Sequence, residues 1–244
     1  LVRRLTADNL EIHLLTRTNS NLWRIADIVD KTTNHTVNLL EKDRLNHIVS
    51  LIQPDYVFHL ANAGLYGGVS VSDQDLAETN FIGLINLISA LEKIDYKKFI
   101  NFGSSSEYGL KKGPMKETEA CFPVNAYGLT KLTATLYAKL IAETQNKPIV
   151  TLRLFSPFGP YDDHRRLISR VILDLLLGRE INLGDPNVVR DYVFIDDVID
   201  LLIETISGTT NFNGEIFNVG SGHESKIINV VNLIVQSINP KTEI

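Results

Sequence analysis

A chain of 244 residues, 44% of them hydrophobic and 22% charged, has enough apolar material for a sizeable core and an ordinary globular composition. A formal net charge of −5 and a pI near 5.7 leave no basic footprint for DNA or RNA. The single cysteine, Cys121, excludes an internal disulfide and a thiolate zinc site and fits a reducing, cytoplasmic compartment; the apolar runs break at Asp or Gly well short of a membrane span.

Residues 1–10 read as the end of a helix feeding a strand at EIHLLTR (11–17). PDYVFHLA (54–61), KKFINFGS (97–104) and PIVTLRLF (148–155) repeat that form, rich in Val, Ile and Phe. Residues 76–91 and 127–143 carry apolar side chains at helical spacing, Leu129, Leu132, Leu136 and Leu140 among them. Buried strands alternating with helices predict an α/β fold with a doubly wound parallel sheet. Beyond residue 155 the pattern loosens at Pro157, Gly159, Pro160 and Gly184. RDYVFIDDVIDLLIETI (190–206) then runs strand into helix, and EIFNVGSG (215–222) reads as one more strand and loop. The expected division is a first domain over 1–155 and a smaller, partly interwoven lobe over 156–244, with 190–222 partly returning to the first. A doubly wound nucleotide-binding sheet should open one strand and one glycine-rich turn before residue 11, and a further strand is natural after VVNLIVQSINPKTEI. The chain therefore reads as an internal fragment of a longer protein.

VNAYGLTKLT (124–133) places Tyr127 and Lys131 four positions apart, behind the helix-start signals Pro123 and Asn125. A second such pair, Tyr108 and Lys112, lies among Gly109, Gly113 and Pro114, which break any helix, and reads as a decoy. Upstream, FINFGSSSEYG ends a strand in three hydroxyls, and the carboxyl ends of parallel strands are where ligands bind in this class. An ammonium ~5 Å from a phenol favours the phenolate by about 3 kcal/mol at an effective dielectric of 20. Such a tyrosine can move a proton to or from a sugar hydroxyl while a serine orients the same oxygen. The spacing alone leaves this reading open beside a blander one, a solvated helix start next to a serine-rich turn.

Taken in order, GSSSEYG, NAYGLTK, LRLFSPFGP, RDYVFIDDV and FNVGSG resemble the extended short-chain dehydrogenase/reductase family, and within it the NAD(P)-dependent nucleotide-sugar epimerases, dehydratases and 4-ketoreductases. The resemblance runs from residue 1 to about 235. It implies a Rossmann domain over 1–155 and a substrate-binding lobe beyond. It makes Tyr127 the proton-transferring residue, Lys131 the partner that lowers its pKa and holds the nicotinamide ribose, and Ser104 the hydroxyl, with Ser105 as the fallback. Leu60, Ala61 and Asn62, in HLANA, would lie against the cofactor. Asn80 would stand behind its nicotinamide half and Pro157 at the carboxamide. Asn38 and Leu39 fall near an adenine-side pair whose acid is here an asparagine. On the substrate side, Ser156 stands where many epimerases have asparagine, Arg165 lies in a segment over the nucleotide, and Arg190 matches an arginine that grips pyrophosphate. An ordinary surface salt bridge to Asp191 or a neighbour is the competing reading of Arg190.

Arg17 stands at the strand end where an acid would bind a free 2′-hydroxyl, which favours NADP over NAD. The dehydratase pattern of a hydroxyl followed by Asp-Glu is replaced by Ser104, Ser105 and Ser106, with Glu107 one place on, so elimination of water lacks its acid and base. Epimerisation at C4 and one-way reduction of a 4-keto sugar remain, with a 4,6-dehydratase, a non-catalytic NAD(P) sensor and an inactive fragment as alternatives. The family's glycine-rich phosphate cradle is missing from the chain. GLYGGVS, with Gly64, Gly67 and Ser70, reads instead as a loop beside the substrate. The expected partners are a nucleotide-diphosphate sugar and a second copy, joined through the helices near 76–92 and 127–143, with no metal, nucleic acid or membrane.

Overall fold

The computed structural model describes residues 1–64 and 71–238. A short helix α1 (Val2–Ala7) leads into β1 (His13–Thr16), which pairs in parallel with β2 (Thr33–Thr36). After α2 (Lys42–Ile52) come β3 (Tyr56–His59), β4 (Lys98–Ser104), β5 (Ile149–Leu154) and, far along the chain, β9 (Ile216–Val219). These four form one parallel sheet in the order β3-β4-β5-β9. The intervening helices are α3 (Asp73–Ala77), α4 (Gly83–Ala90) and α5 (Ala126–Gln145). The remaining elements are β6 (Pro157–Phe158), α6 (Leu167–Leu176), β7 (Val189–Asp191), β8 (Val193–Phe194), α7 (Ile195–Ser207), β10 (Glu224–Lys226) and α8 (Ile227–Ile238). The doubly wound α/β class expected from the strand-helix alternation is the one found.

Two apolar clusters sandwich the parallel layer. On one face α2, α4 and α5 supply Leu45, Val49, Leu84, Leu87, Ile88, Ala138 and Ile141, against which Leu15 of β1 and Val57 of β3 pack. On the other face α1 and α7 supply Leu5, Val198, Leu202 and Ile206, meeting Leu14, Tyr56 and Phe58. Because side chains alternate across a strand, β1, β3, β4 and β5 each serve both clusters. A third, smaller cluster joins α6 and α8 through Val171, Val231 and Val235.

Two details differ from the sequence reading, and one strand is additional to it. The helix expected over 76–91 begins earlier, with Ser72 accepting a hydrogen bond from the Asp75 amide, and is broken by a π turn at Glu78–Ile82. The strand β2, TNHT, escapes a hydrophobic reading because its residues are polar and only half covered. In α5 the leucine spacing locates the helix but not its buried face. Leu129, Leu136 and Leu140 are each more than half exposed, while Gly128, Lys131, Ala134, Thr135, Ala138 and Ala142 face the sheet. Small residues let the helix approach β4 and β5 closely, and the leucines are left outside.

β4 is buried at every position, including its first residue, Lys98. The Lys98 ammonium donates to the carbonyls of Thr205, at 2.6 Å, and Gly208, at the end of α7. A cation there meets the unsatisfied carbonyls and negative pole of a helix C-terminus.

Candidate active site

The carboxyl ends of the parallel strands carry most of the residues singled out from the sequence. Ser104 closes β4 and is the N-cap of a single 3₁₀ turn, Ser105–Tyr108. Its hydroxyl accepts from the Ser106 amide at 3.2 Å, and its own amide donates to Glu107 Oε1 at 2.8 Å. This reciprocal capping box fixes the turn without outside help. Ser104 is 9% exposed, and Ser105 is partly covered beside it.

Helix α5 starts against this turn. Asn125 caps it, its side-chain oxygen accepting from the Gly128 amide at 2.8 Å. A β-carbon on Gly128 would lie 2.5 Å from the Ser106 carbonyl oxygen and 3.0 Å from Pro123 Cβ. Only glycine allows that approach, and the approach brings the first turns of α5 to the end of β4. Tyr127 is half-buried there, and Lys131, one turn on, is buried. Burial lowers the Lys131 pKa to about 8, against an opposing pull from the Glu107 carboxylate.

Asn80, in the π turn, is 1% exposed and fully engaged. It accepts from the Ala63 amide at 2.8 Å and donates to the Ala63 carbonyl at 2.9 Å and to Thr130 Oγ1 at 3.2 Å. The side chain thus clamps the loop after β3 to helix α5. Leu60, Ala61 and Asn62 follow β3, with Leu60 52% exposed, an apolar surface at the strand end. Behind them His59 is buried, its Nε2 without a hydrogen-bond partner among the described residues. Burial and then the Lys131 charge push its pKa down to about 3, so it stays neutral.

Arg17 follows β1 directly and is exposed, its amide donating to Ser20 Oγ at 3.0 Å. Asn38 and Leu39 follow β2. Asn38 donates its amide to Glu41 and accepts from the Leu40 amide, while the Leu39 carbonyl accepts from Asn86 at 2.8 Å. Ser156 and Pro157 lie beyond β5, and Pro157 pairs with Val193 in the small β6–β8 ladder. Arg165 is held by Asp163, its guanidinium donating to both carboxylate oxygens at 2.8 and 2.5 Å, and Arg166 reaches Asp162 at 3.1 Å. Arg190 is exposed on β7, and one of its guanidinium nitrogens donates to the Val189 carbonyl. The salt bridge to Asp191 is not made. That carboxylate instead accepts from the Ser221 amide and hydroxyl and the Gly222 amide. The decoy tyrosine, Tyr108, is wholly buried, its hydroxyl between Arg153 and Asn218. In GLYGGVS, Gly67 and Ser70 lie outside the described residues.

Sequence reasoning missed the polar centre beneath the turn. Glu107 is 0% exposed and receives Arg153 Nε at 2.7 Å and Thr135 Oγ1 at 3.0 Å, besides the Ser104 amide. One signal was available: an arginine inside the otherwise apolar strand LRLF needs a buried anion.

A nicotinamide dinucleotide fits the donor set along this edge. Lys131 is a buried cation on α5, Leu60 an exposed apolar side chain after β3, and Arg17 a solvent-facing cation at the end of β1.

A family model described as "NAD dependent epimerase/dehydratase family" matches residues 1–220. The uncharacterized UDP-glucose epimerase YtcB of Bacillus subtilis is 30% identical over 180 residues, covering 73% of this chain and 57% of that protein. The chain thus spans less than two thirds of that relative's length. The UDP-glucose 4-epimerase of Thermotoga maritima, solved with UDP-glucose, superposes with a TM-score of 0.88 at 25% identity, over 99% of this chain and 79% of that one. DesIV, a dTDP-glucose 4,6-dehydratase of Streptomyces venezuelae solved with NAD and TYD, gives 0.86 at 21% identity over 97% and 76%, a likeness of fold.

Proposed function

Because the chain belongs to the NAD dependent epimerase/dehydratase family, we propose that it carries the catalytic core of a nucleotide-sugar 4-epimerase or 4-ketoreductase. The observation that carries this reading is the meeting of Ser104 with the start of α5, where Gly128 sits against the Ser106 carbonyl and Tyr127 and Lys131 share one helical face.

In this reading Tyr127 takes the proton from, or returns it to, the C4 hydroxyl of the sugar. Lys131 holds a positive charge one turn away and so favours the phenolate. Ser104, its hydroxyl oriented by the turn, binds the same sugar oxygen. Lys131, Leu60, Ala61, Asn62 and Pro157 would hold the nicotinamide half of the dinucleotide, and Arg17, Asn38 and Leu39 the adenosine half. When bound, the dinucleotide supplies the hydride acceptor or donor at C4. Arg190 is the cation proposed for the substrate pyrophosphate, with Ser105, Ser156 and Arg165 on the sugar-nucleotide side. The exposed Arg17 favours NADP. The dehydratase reading is weaker because Glu107, the one carboxylate in the serine turn, is buried and spoken for by three donors. The exposed leucines of α5 are the surface proposed for a second copy.

The test is turnover of UDP- and dTDP-linked 4-keto and 4-hydroxy sugars with NADPH, NADH or NAD, by the parent and by Tyr127→Phe. A loss of roughly 10²-fold or more in kcat with dinucleotide affinity unchanged is expected. Unchanged turnover by Tyr127→Phe would remove Tyr127 from the reaction.

A further inference from the structure

The buried carboxylate of Glu107 joins three elements, β4, β5 and α5, at one point. It accepts from the Ser104 amide at the end of β4, from Thr135 on α5 and from Arg153 on β5, at 2.8, 3.0 and 2.7 Å. The space for it is built in. A β-carbon on Gly103 would come 2.5 Å from Glu107 Oε1 and 3.0 Å from Arg153 Cγ, so the preceding residue must lack one. Thr135 lies four residues after Lys131, on the same helical face, about 6 Å away between β-carbons. Arg153 is 2% exposed, and its Nη1 donates to the Tyr108 hydroxyl at 2.9 Å. Such a pair is costly to desolvate, and an apolar pair of similar volume would commonly serve stability as well or better.

We propose that Glu107 is a positioning residue: its carboxylate ties the Ser104 turn to α5, the helix carrying Tyr127 and Lys131, and to Arg153 on β5. The inference rests on the reading of Ser104, Tyr127 and Lys131 given above.

The same carboxylate raises the Lys131 pKa against the effect of burial, and on β5 it is itself paired with the buried Arg153 guanidinium at 2.7 Å. Helix α5 is packed by α3, the π turn, β4, the serine turn and β5. Asp73 and Asp75 on α3 are exposed, Glu78 begins the π turn, and Lys98 lies at the far end of β4. On α5 itself, Lys139 and Glu143 pair with each other at the surface. His59, from β3, is neutral. Glu107 is the anion that acts on Lys131, opposing the effect of burial.

The experiment is an NMR titration of the Lys131 side chain, assigned with Lys131→Met, on the full chain without ligand. It compares the parent with Glu107→Gln and with Glu107→Leu/Arg153→Met, the second variant avoiding an unpaired buried guanidinium. Lys131 should titrate near pH 8 in the parent and lower in Glu107→Gln, which removes the anion and leaves the Arg153 cation, with a smaller fall in the double variant, which removes both charges. The Ser104 amide should exchange with solvent roughly tenfold faster in the double variant, which lacks the acceptor. An unmoved Lys131 titration in Glu107→Gln, or an unchanged Ser104 exchange rate, overturns the proposal. Neither readout needs turnover, so a failure of the catalytic reading, shown by an active Tyr127→Phe, would be seen separately.

Discussion

Burying an ammonium costs stability, and Lys131→Met measures how much. Its pKa falls from 10.5 to about 8 in the fold, with desolvation as the main cause. At 1.36 kcal/mol per pH unit this corresponds to about 3 kcal/mol of unfavourable free energy in the charged, folded state. Below pH 8 both folded and unfolded chains carry the proton, so that whole cost is present. Between pH 8 and 10.5 the unfolded chain binds more protons than the native one, and stability rises with pH as the cost is relieved. Methionine fills a similar volume without charge. At pH 7 the variant should therefore be more stable by up to about 3 kcal/mol, and this advantage should shrink steadily toward pH 10.5. Urea unfolding of both proteins at several pH values from 7 to 10 reads the difference directly, because other groups titrating there cancel. A difference that stays flat across that range would refute the argument that a buried cation is being held.

The remaining predictions concern the site's surroundings. Gly103→Ala should lower the urea midpoint, with a loss of about 1–3 kcal/mol, because its methyl meets both Glu107 and Arg153; an unchanged midpoint would mean that the ion pair shifts freely. Arg17→Ser should weaken NADPH binding roughly tenfold or more while leaving NADH nearly unaffected, as read by nucleotide fluorescence; equal losses for both would remove Arg17 as the 2′-phosphate reader. Leu136→Glu with Leu140→Glu should shift sedimentation from dimer to monomer, since both leucines are more than half exposed on α5. A parent already monomeric at high concentration would end that expectation.

How much was legible in the sequence depended on how apolar each element is. The strands at 56–59, 98–104 and 149–154 announced themselves because each is covered on both faces. β2 did not, because TNHT has no apolar face to show. The leucines of α5 found its helix and misdirected its orientation: in a helix laid flat on a sheet, close approach selects alanine, glycine and threonine for the inner face. Tyr127 and Lys131 were legible through their spacing. The Glu107–Arg153 pair was half legible: Arg153 inside LRLF calls for a buried anion, but nothing local points to Glu107, 46 residues away. The clamp of Asn80 on Ala63 and Thr130 was not legible, because it is long-range and leaves no local pattern.

The place of β9 at the outer edge of β5 has a consequence for synthesis. Arg153 stands opposite Asn218 in that ladder, and the strand that covers it is made about sixty residues later. At 5–20 residues per second, β5 would wait roughly 3–12 s on the ribosome with its outer hydrogen-bonding edge open. Any chain stopped before residue 216 would keep that edge permanently, and an open parallel edge is a template for pairing with another chain. Translation that pauses between β5 and β9 should therefore raise the aggregated fraction, and a chaperone that shields strand edges should lower it.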